Sequence, residues 1–126
     1  MQRTIIETSG APAPIGPYSQ AVRCGDMLFI SGQIALDPST GQLLTADTAT
    51  ETHRVMQNLQ AVLHEAGMEF RHVVKTTIFL SDMSLFGEVN AVYASYLTGD
   101  FPARETVAVS GLPKGANVEI SMVACL

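Results

Sequence analysis

The segment FPARETVAVSGLPKGANVEI, residues 101–120, constrains the fold more than any other part of the chain. It reads as two strands interrupted by a Gly/Pro-rich loop, and side chains along a strand alternate between the two sheet faces. In the first strand Val107 and Val109 are expected to face the core, so Arg104, Thr106, Ala108 and Ser110 point the other way. In the second, Val118, Ile120, Met122 and Ala124 face the core, while Asn117, Glu119 and Ser121 point away. The alternation thus predicts Arg104 and Glu119 on one common face, the face the core does not use. There a guanidinium can clamp an anionic ligand beside a carboxylate able to move protons. The loop around Gly111, Pro113, Lys114 and Gly115 has neither P-loop nor dinucleotide spacing, and a hairpin connection is the expectation.

Upstream, residues 3–8 alternate like a strand, and Pro12, Pro14 and Pro17 then exclude regular pairing up to about Ser19. Two short strands near 20–24 and 27–31 flank a Gly25-Asp26 turn. Thr48 with Glu51 forms a capping-box pattern. It opens a helix whose apolar face is Val55, Leu59, Val62, Leu63 and Ala66, and which stops at Gly67. A β-branched strand spans 73–80. A second helix is expected over about 84–97, carrying Phe86, Val89, Tyr93, Tyr96 and Leu97. The order is β-β-β-α-β-α-β-β in one domain, residues 1–126. Two helices cover only one face of such a sheet, so the other is wet or covered by another subunit.

Composition narrows the function classes. Hydrophobic residues make up 47% and charged residues 15%, which points to surface buried in an oligomer, with a rich single core as the rival. A net charge of −5, with seven Lys+Arg and no basic run, argues against nucleic acid. The apolar runs are strand-sized and residues 1–10 lack a signal-peptide core, so no membrane attachment is expected. Cys24 and Cys125 read as free thiols of a reducing cytoplasm. His53 and His64, on one helix, stand ~16 Å apart and cannot share a metal. Lys75, alone in an apolar strand, is read as snorkelling or paired with a carboxylate rather than as a Schiff-base lysine.

Together with 101–120, the segments IGPYSQ (15–20), SGQI (31–34), VVKTTIFL (73–80) and VNAVY (89–93) carry a resemblance. With matching spacing over nearly the whole chain, the sequence resembles the RidA/YjgF-type reactive-intermediate imine deaminase family. The resemblance implies an α+β, chorismate-mutase-like fold with two helices on one face of a mixed sheet. It implies a homotrimer with the sheets facing the centre and sites in the clefts between subunits. The implied reaction is hydrolysis of 2-iminobutanoate and 2-iminopropanoate to 2-oxo acids and ammonia, in the cytoplasm, with neither cofactor nor metal.

By the same resemblance Arg104 binds the substrate carboxylate, Glu119 positions the hydrolytic water, and Tyr18 and Asn90 line the cleft. Read as residues, each has an ordinary alternative. Arg104 can form a salt bridge within the chain or between subunits, with Glu119 as one partner, Glu119 can be a solvated outward residue of an edge strand, Tyr18 can anchor a loop, and Asn90 can be a solvent or capping residue. Thr106 departs from the family, many of whose members have cysteine there; its main-chain groups remain for the ligand, and a thiol-dependent step is closed to this chain. Ser31 and Gly32 can present backbone to a ligand or simply end a strand. Two other functions stay open: a noncatalytic small-carboxylate-binding regulator, and an endoribonuclease or translation inhibitor, which the acidic charge disfavours.

Overall fold

The computed structural model describes residues 2–126; Met1, the first residue of the expected domain, lies outside them. Arg3–Ile6 (β1), Ala21–Cys24 (β2) and Met27–Gln33 (β3) form an antiparallel meander. Helix α1 (Thr48–Glu65), strand β4 (Val73–Leu80), helix α2 (Phe86–Ala94), β5 (Ala103–Ala108) and β6 (Val118–Cys125) follow. The strands make one mixed sheet in the order β1-β2-β3-β6-β4-β5, with the helices packed on it. This is the expected element order and the expected two-helix, mixed-sheet architecture.

The core lies between helices and sheet. Val55, Leu59, Val62 and Leu63 of α1 meet Leu28, Leu80, Val118 and Ile120 of the strands, all with no exposed surface. Burying each of these side chains contributes about 1.5–3 kcal/mol. Asp47 caps α1, its Oδ1 accepting the Thr50 N–H at 2.7 Å. At the other end Gly67, at φ +74°, lets the Gly67 and Met68 N–H groups close onto the His64 and Leu63 carbonyls. The expected capping box is corrected on both counts: Thr48 is already helical, and Glu51 is buried away from the cap. Helix α2 ends at Ala94, short of the expected 97, where the Tyr96 and Leu97 N–H groups turn to the Tyr93 and Ala94 carbonyls, three residues back instead of four.

The last two strands do not pair. Strand β6 inserts between β3 and β4, whereas β5 runs parallel to β4 on its far side, reached through the α2 crossover. The loop expected to be a hairpin passes over the end of β4. Val109 N–H donates to Leu80 O and Ser81 N–H to Asn117 O, each at 2.9 Å.

A second correction matters more. Arg104 pairs with Thr76 and Thr106 with Ile78, both on the helix side and at most 1% exposed. Val107 pairs with Phe79 on the opposite, open face and is 43% exposed. Arg104 and Thr106 therefore face the helices, and Glu119, paired with Phe79 on β6, faces the other way. The valine alternation misleads because β5 is the outermost strand. Its Val107 joins Ile5 and Phe29 on the apolar open face instead of entering the chain's own core.

Candidate functional site

Two separate concavities carry the expected site residues. The first, about 400 Å³, is walled by Asn90, Tyr93, Ala94, Leu97, Phe101, Pro102 and Arg104. Pro102 ends the run after α2 and sets the start of β5, which delivers Arg104 against that helix. The guanidinium carbon stands 5.3 Å from the Tyr93 ring centroid and 5.7 Å from that of Phe86. Its Nη1 donates to Asn90 Oδ1 at 2.7 Å. Two aromatic faces and one amide thus fix the plane of the group, which has no carboxylate partner among the described residues. A guanidinium held this way still has several N–H donors free for an anion. Tyr93 is itself fixed, its hydroxyl donating to Thr76 Oγ1 at 3.0 Å.

The second concavity, about 310 Å³, is lined by Ile15, Tyr18, Ser31, Gly32, Pro113 and Glu119. A β-bulge at Ser31–Gly32, between the Ile30–Met122 and Gln33–Ile120 pairs, opens the sheet here. The Glu119 side chain lies against Gly32 so closely that a Cβ there would stand 2.8 Å from its carboxyl carbon. Burial pushes the Glu119 carboxyl above the usual glutamate range, with no compensating charge. The Tyr18 phenol oxygen accepts the Ile15 N–H at 3.2 Å, so its own hydrogen is left to donate to a ligand.

The structure gathers Tyr18, Ser31, Gly32 and Glu119 around one concavity and Asn90 and Arg104 around the other, and it does not bring the two sets together. An Arg104–Glu119 ion pair within the chain is excluded, since they lie on opposite faces. Ser31 has less to offer than expected: its N–H donates to Gln20 O and its hydroxyl to Ser19 O. Thr106 lies beside Arg104 on the helix side of β5, and its Oγ1 is buried without a hydrogen-bond partner. Lys75 forms an ion pair with Glu105 at 3.2 Å, on the open face. His53 Nδ1 is hydrogen-bonded to Tyr96 Oη at 2.9 Å. Among the described residues no cluster of His, Cys, Asp and Glu is placed to hold a metal, and no helix is long and apolar enough to cross a membrane.

Sequence reasoning missed Phe86, which helps hold the guanidinium, and Phe101, 70% exposed at the pocket rim. It also missed the Glu51–Asn117 pair. A signal was present for two of these: an aromatic in the arginine's own FPAR segment, and a glutamate on the inner face of an amphipathic helix; Phe86, in another element, carries none.

The family model described as Endoribonuclease L-PSP matches residues 8–126. Protein DfrA of Myxococcus xanthus is 52% identical over 98% of this chain and 96% of its own length. The mouse 2-iminobutanoate/2-iminopropanoate deaminase is 48% identical over 97% of this chain and 90% of its own. The crystal structure of Escherichia coli TdcF with bound serine superposes with a TM-score of 0.92 at 36% identity, covering 98% of both chains. A near-complete match to the family model, with relatives at this identity and the same fold, makes the chain a member of the Endoribonuclease L-PSP family, the RidA/YjgF family whose motifs it carries.

Proposed function

We propose that this protein hydrolyses small 2-imino acids to 2-oxo acids and ammonia, at sites completed between neighbouring copies of the chain. The observation that carries the reading is the division into two complementary halves. One half holds an oriented guanidinium without an acid/base group, and the other a half-buried carboxylate without an anion clamp. Opposite sheet faces keep the halves of one chain apart, so a symmetric assembly is the economical way to join them. A homotrimer with the open sheet faces turned inward also gives Ile5, Phe29 and Val107 a place out of water. Relatives named as imine deaminases at 46–48% identity, and a bound amino acid in TdcF, support a small carboxylate ligand.

In this reading Arg104 holds the substrate carboxylate by charge-assisted hydrogen bonds, which turn the C=N carbon toward the partner copy. Glu119 of that partner takes a proton from water as the oxygen adds to the imine carbon. It returns that proton to nitrogen, then relays the proton of the carbinolamine hydroxyl to nitrogen as the carbonyl forms, the C–N bond breaks and ammonia leaves. Burial raises its pKa, which makes the carboxylate a stronger base toward water than an exposed glutamate. The Tyr18 hydroxyl donates to the adding oxygen or to the carboxylate. No external redox partner is needed, because water and imine balance to oxo acid and ammonia.

The test is the decay of 2-iminobutanoate, made in situ by a threonine dehydratase and trapped with semicarbazide. Wild type is expected to speed the decay, and Arg104→Ala and Glu119→Gln each to lose most of the gain. Unfolding and refolding the two variants together should restore roughly a quarter of wild-type activity, since random mixing reunites intact halves. Decay unchanged by well-folded wild type would reject imine hydrolysis. Active wild type with no restoration on mixing would reject the shared site. The family name, Endoribonuclease L-PSP, favours one other reading, an RNA-cleaving protein. Steeply salt-dependent RNA binding would support it, and a net charge of −5 speaks against it.

A further inference from the structure

Helix α1 carries the one charged side chain in the core of the described chain. Glu51 is 1% exposed in the first turn of that helix, and no cation lies against it. A buried carboxylate is strongly disfavoured unless its oxygens are matched by donors. Here one residue supplies both: Asn117 gives its main-chain N–H to Oε2 and its side-chain amide to Oε1, each at 2.8 Å. From the other side Ser81 closes on the same residue. Its N–H donates to the Asn117 carbonyl at 2.9 Å and its hydroxyl to Oδ1 at 3.3 Å. Every polar group of Asn117 is thereby engaged, immediately before β6 begins and two residues before Glu119.

The same helix holds the facing wall. Asn58, fully buried, donates to the Ile34 and Leu36 carbonyls at 3.1 and 3.0 Å. Ile34 and Leu36 pack on Ala116 and Leu112, and together with Pro113 and Glu119 they line one concavity. The Glu119 carboxyl group packs directly on Gly32, where even a Cβ would overlap it, so the placement of β6 decides how it is seated.

We propose that Glu51 is a positioning residue for Glu119: by gripping Asn117 it sets the height and rotation at which β6 presents the glutamate to the Tyr18–Gly32 concavity. This rests on the imine-hydrolase reading for its kinetic consequence, and on geometry alone for its mechanical one. Tyr18 is the one other titratable group of the same chain lining that concavity among the described residues; in the shared site the neighbouring copy's Arg104 faces Glu119 in wild type and variants alike, so a change in the Glu119 titration between them reports the seat.

The test compares wild type, Glu51→Gln, and Glu51→Gln combined with Asn117→Asp. The single change leaves one oxygen for the main-chain N–H but sets an amide NH2 against the Asn117 amide. The double change restores donor to acceptor. For Glu51→Gln we expect kcat to fall about tenfold with KM within about twofold, as for a small misplacement of a reacting group. The Glu119 carboxyl, followed by carbon-detected NMR, should titrate closer to an ordinary glutamate. The double variant should recover both readouts.

A purely structural Glu51 would lower Tm and leave kcat and the Glu119 titration unmoved, which overturns the proposal, as does a double variant no better than the single. If wild type itself fails to hydrolyse imines, the deaminase reading fails. The NMR titration then decides the Glu51–Glu119 coupling by itself.

Discussion

Arg104 and Glu119 sit on opposite kinds of strand. Arg104 lies near the start of an edge strand, is exposed, and is held mainly by side chains of α2: two aromatic rings and one amide. Glu119 lies on a strand paired on both sides, half-buried, and is held by backbone geometry: a bulge, a glycine and the anchored start of β6. The anion clamp is thus built from replaceable side-chain contacts, and the acid/base group from the sheet itself. Binding and chemistry should therefore respond differently to substitution.

The largest effect is expected at the clamp. Arg104→Ala removes charge-assisted hydrogen bonds worth about 2–3 kcal/mol, a loss of roughly 30- to 150-fold in kcat/KM for imine decay. Arg104→Lys should recover part of it, because the charge survives while the planar fork does not. If both variants kept full activity, the first concavity would have no part in binding.

On the Glu119 side, Gly32→Ala forces a Cβ into the carboxyl group, and overpacking of this kind costs about 1–3 kcal/mol. Its mark should be a lower kcat with a smaller change in KM. A KM-dominated defect would mean that Gly32 serves the ligand rather than Glu119.

The pH response separates the halves without altering binding contacts. Glu119 holds its proton more tightly folded than unfolded, because its folded pKa is raised. Its contribution to stability is therefore greatest below the usual glutamate pKa and falls as pH rises through the window up to the folded value. Asp37, Asp47, Asp82 and Glu105 are shifted the other way, so only a difference measurement isolates Glu119. Tm of Glu119→Gln minus Tm of wild type should increase with pH across that window. A flat difference would mean that the carboxyl is not destabilised by its burial.

The smallest effect is expected at Thr106, beside Arg104. Its Oγ1 is buried without a partner, so Thr106→Val, nearly the same shape, should stabilise by about 1 kcal/mol, read from thermal unfolding. Destabilisation would reveal a hydrogen bond made by that hydroxyl in the assembled protein.

Local chemistry made much of this readable in advance. Gly25-Asp26, the Gly67 stop and the β-branched run 73–80 gave element positions, because turns, caps and alternation are short-range effects. Arg104, Glu119, Tyr18 and Asn90 were visible as polar residues set in apolar or rigid segments. What the pattern did not contain was partnership. Alternation in 103–108 says that two faces differ, not which one meets the helices, and for an outermost strand the apolar face need not be the inner one. Glu51 shows the same gap: a capping box and a buried acceptor for a distant amide look alike until Asn117 is placed beside it.

The central position of β6 also shapes how the chain is made. Strands β1–β3 and β4–β5 are synthesised first, yet nothing hydrogen-bonds the two groups until β6 slides between β3 and β4. During translation both of those strands offer an open edge, and β3 carries Leu28, Phe29 and Ile30 along it. Closing the sheet requires contacts between residues far apart in sequence, a slow step by its topology. The interval before it closes is when a newly made chain is most exposed to edge-to-edge pairing with its neighbours on the same message.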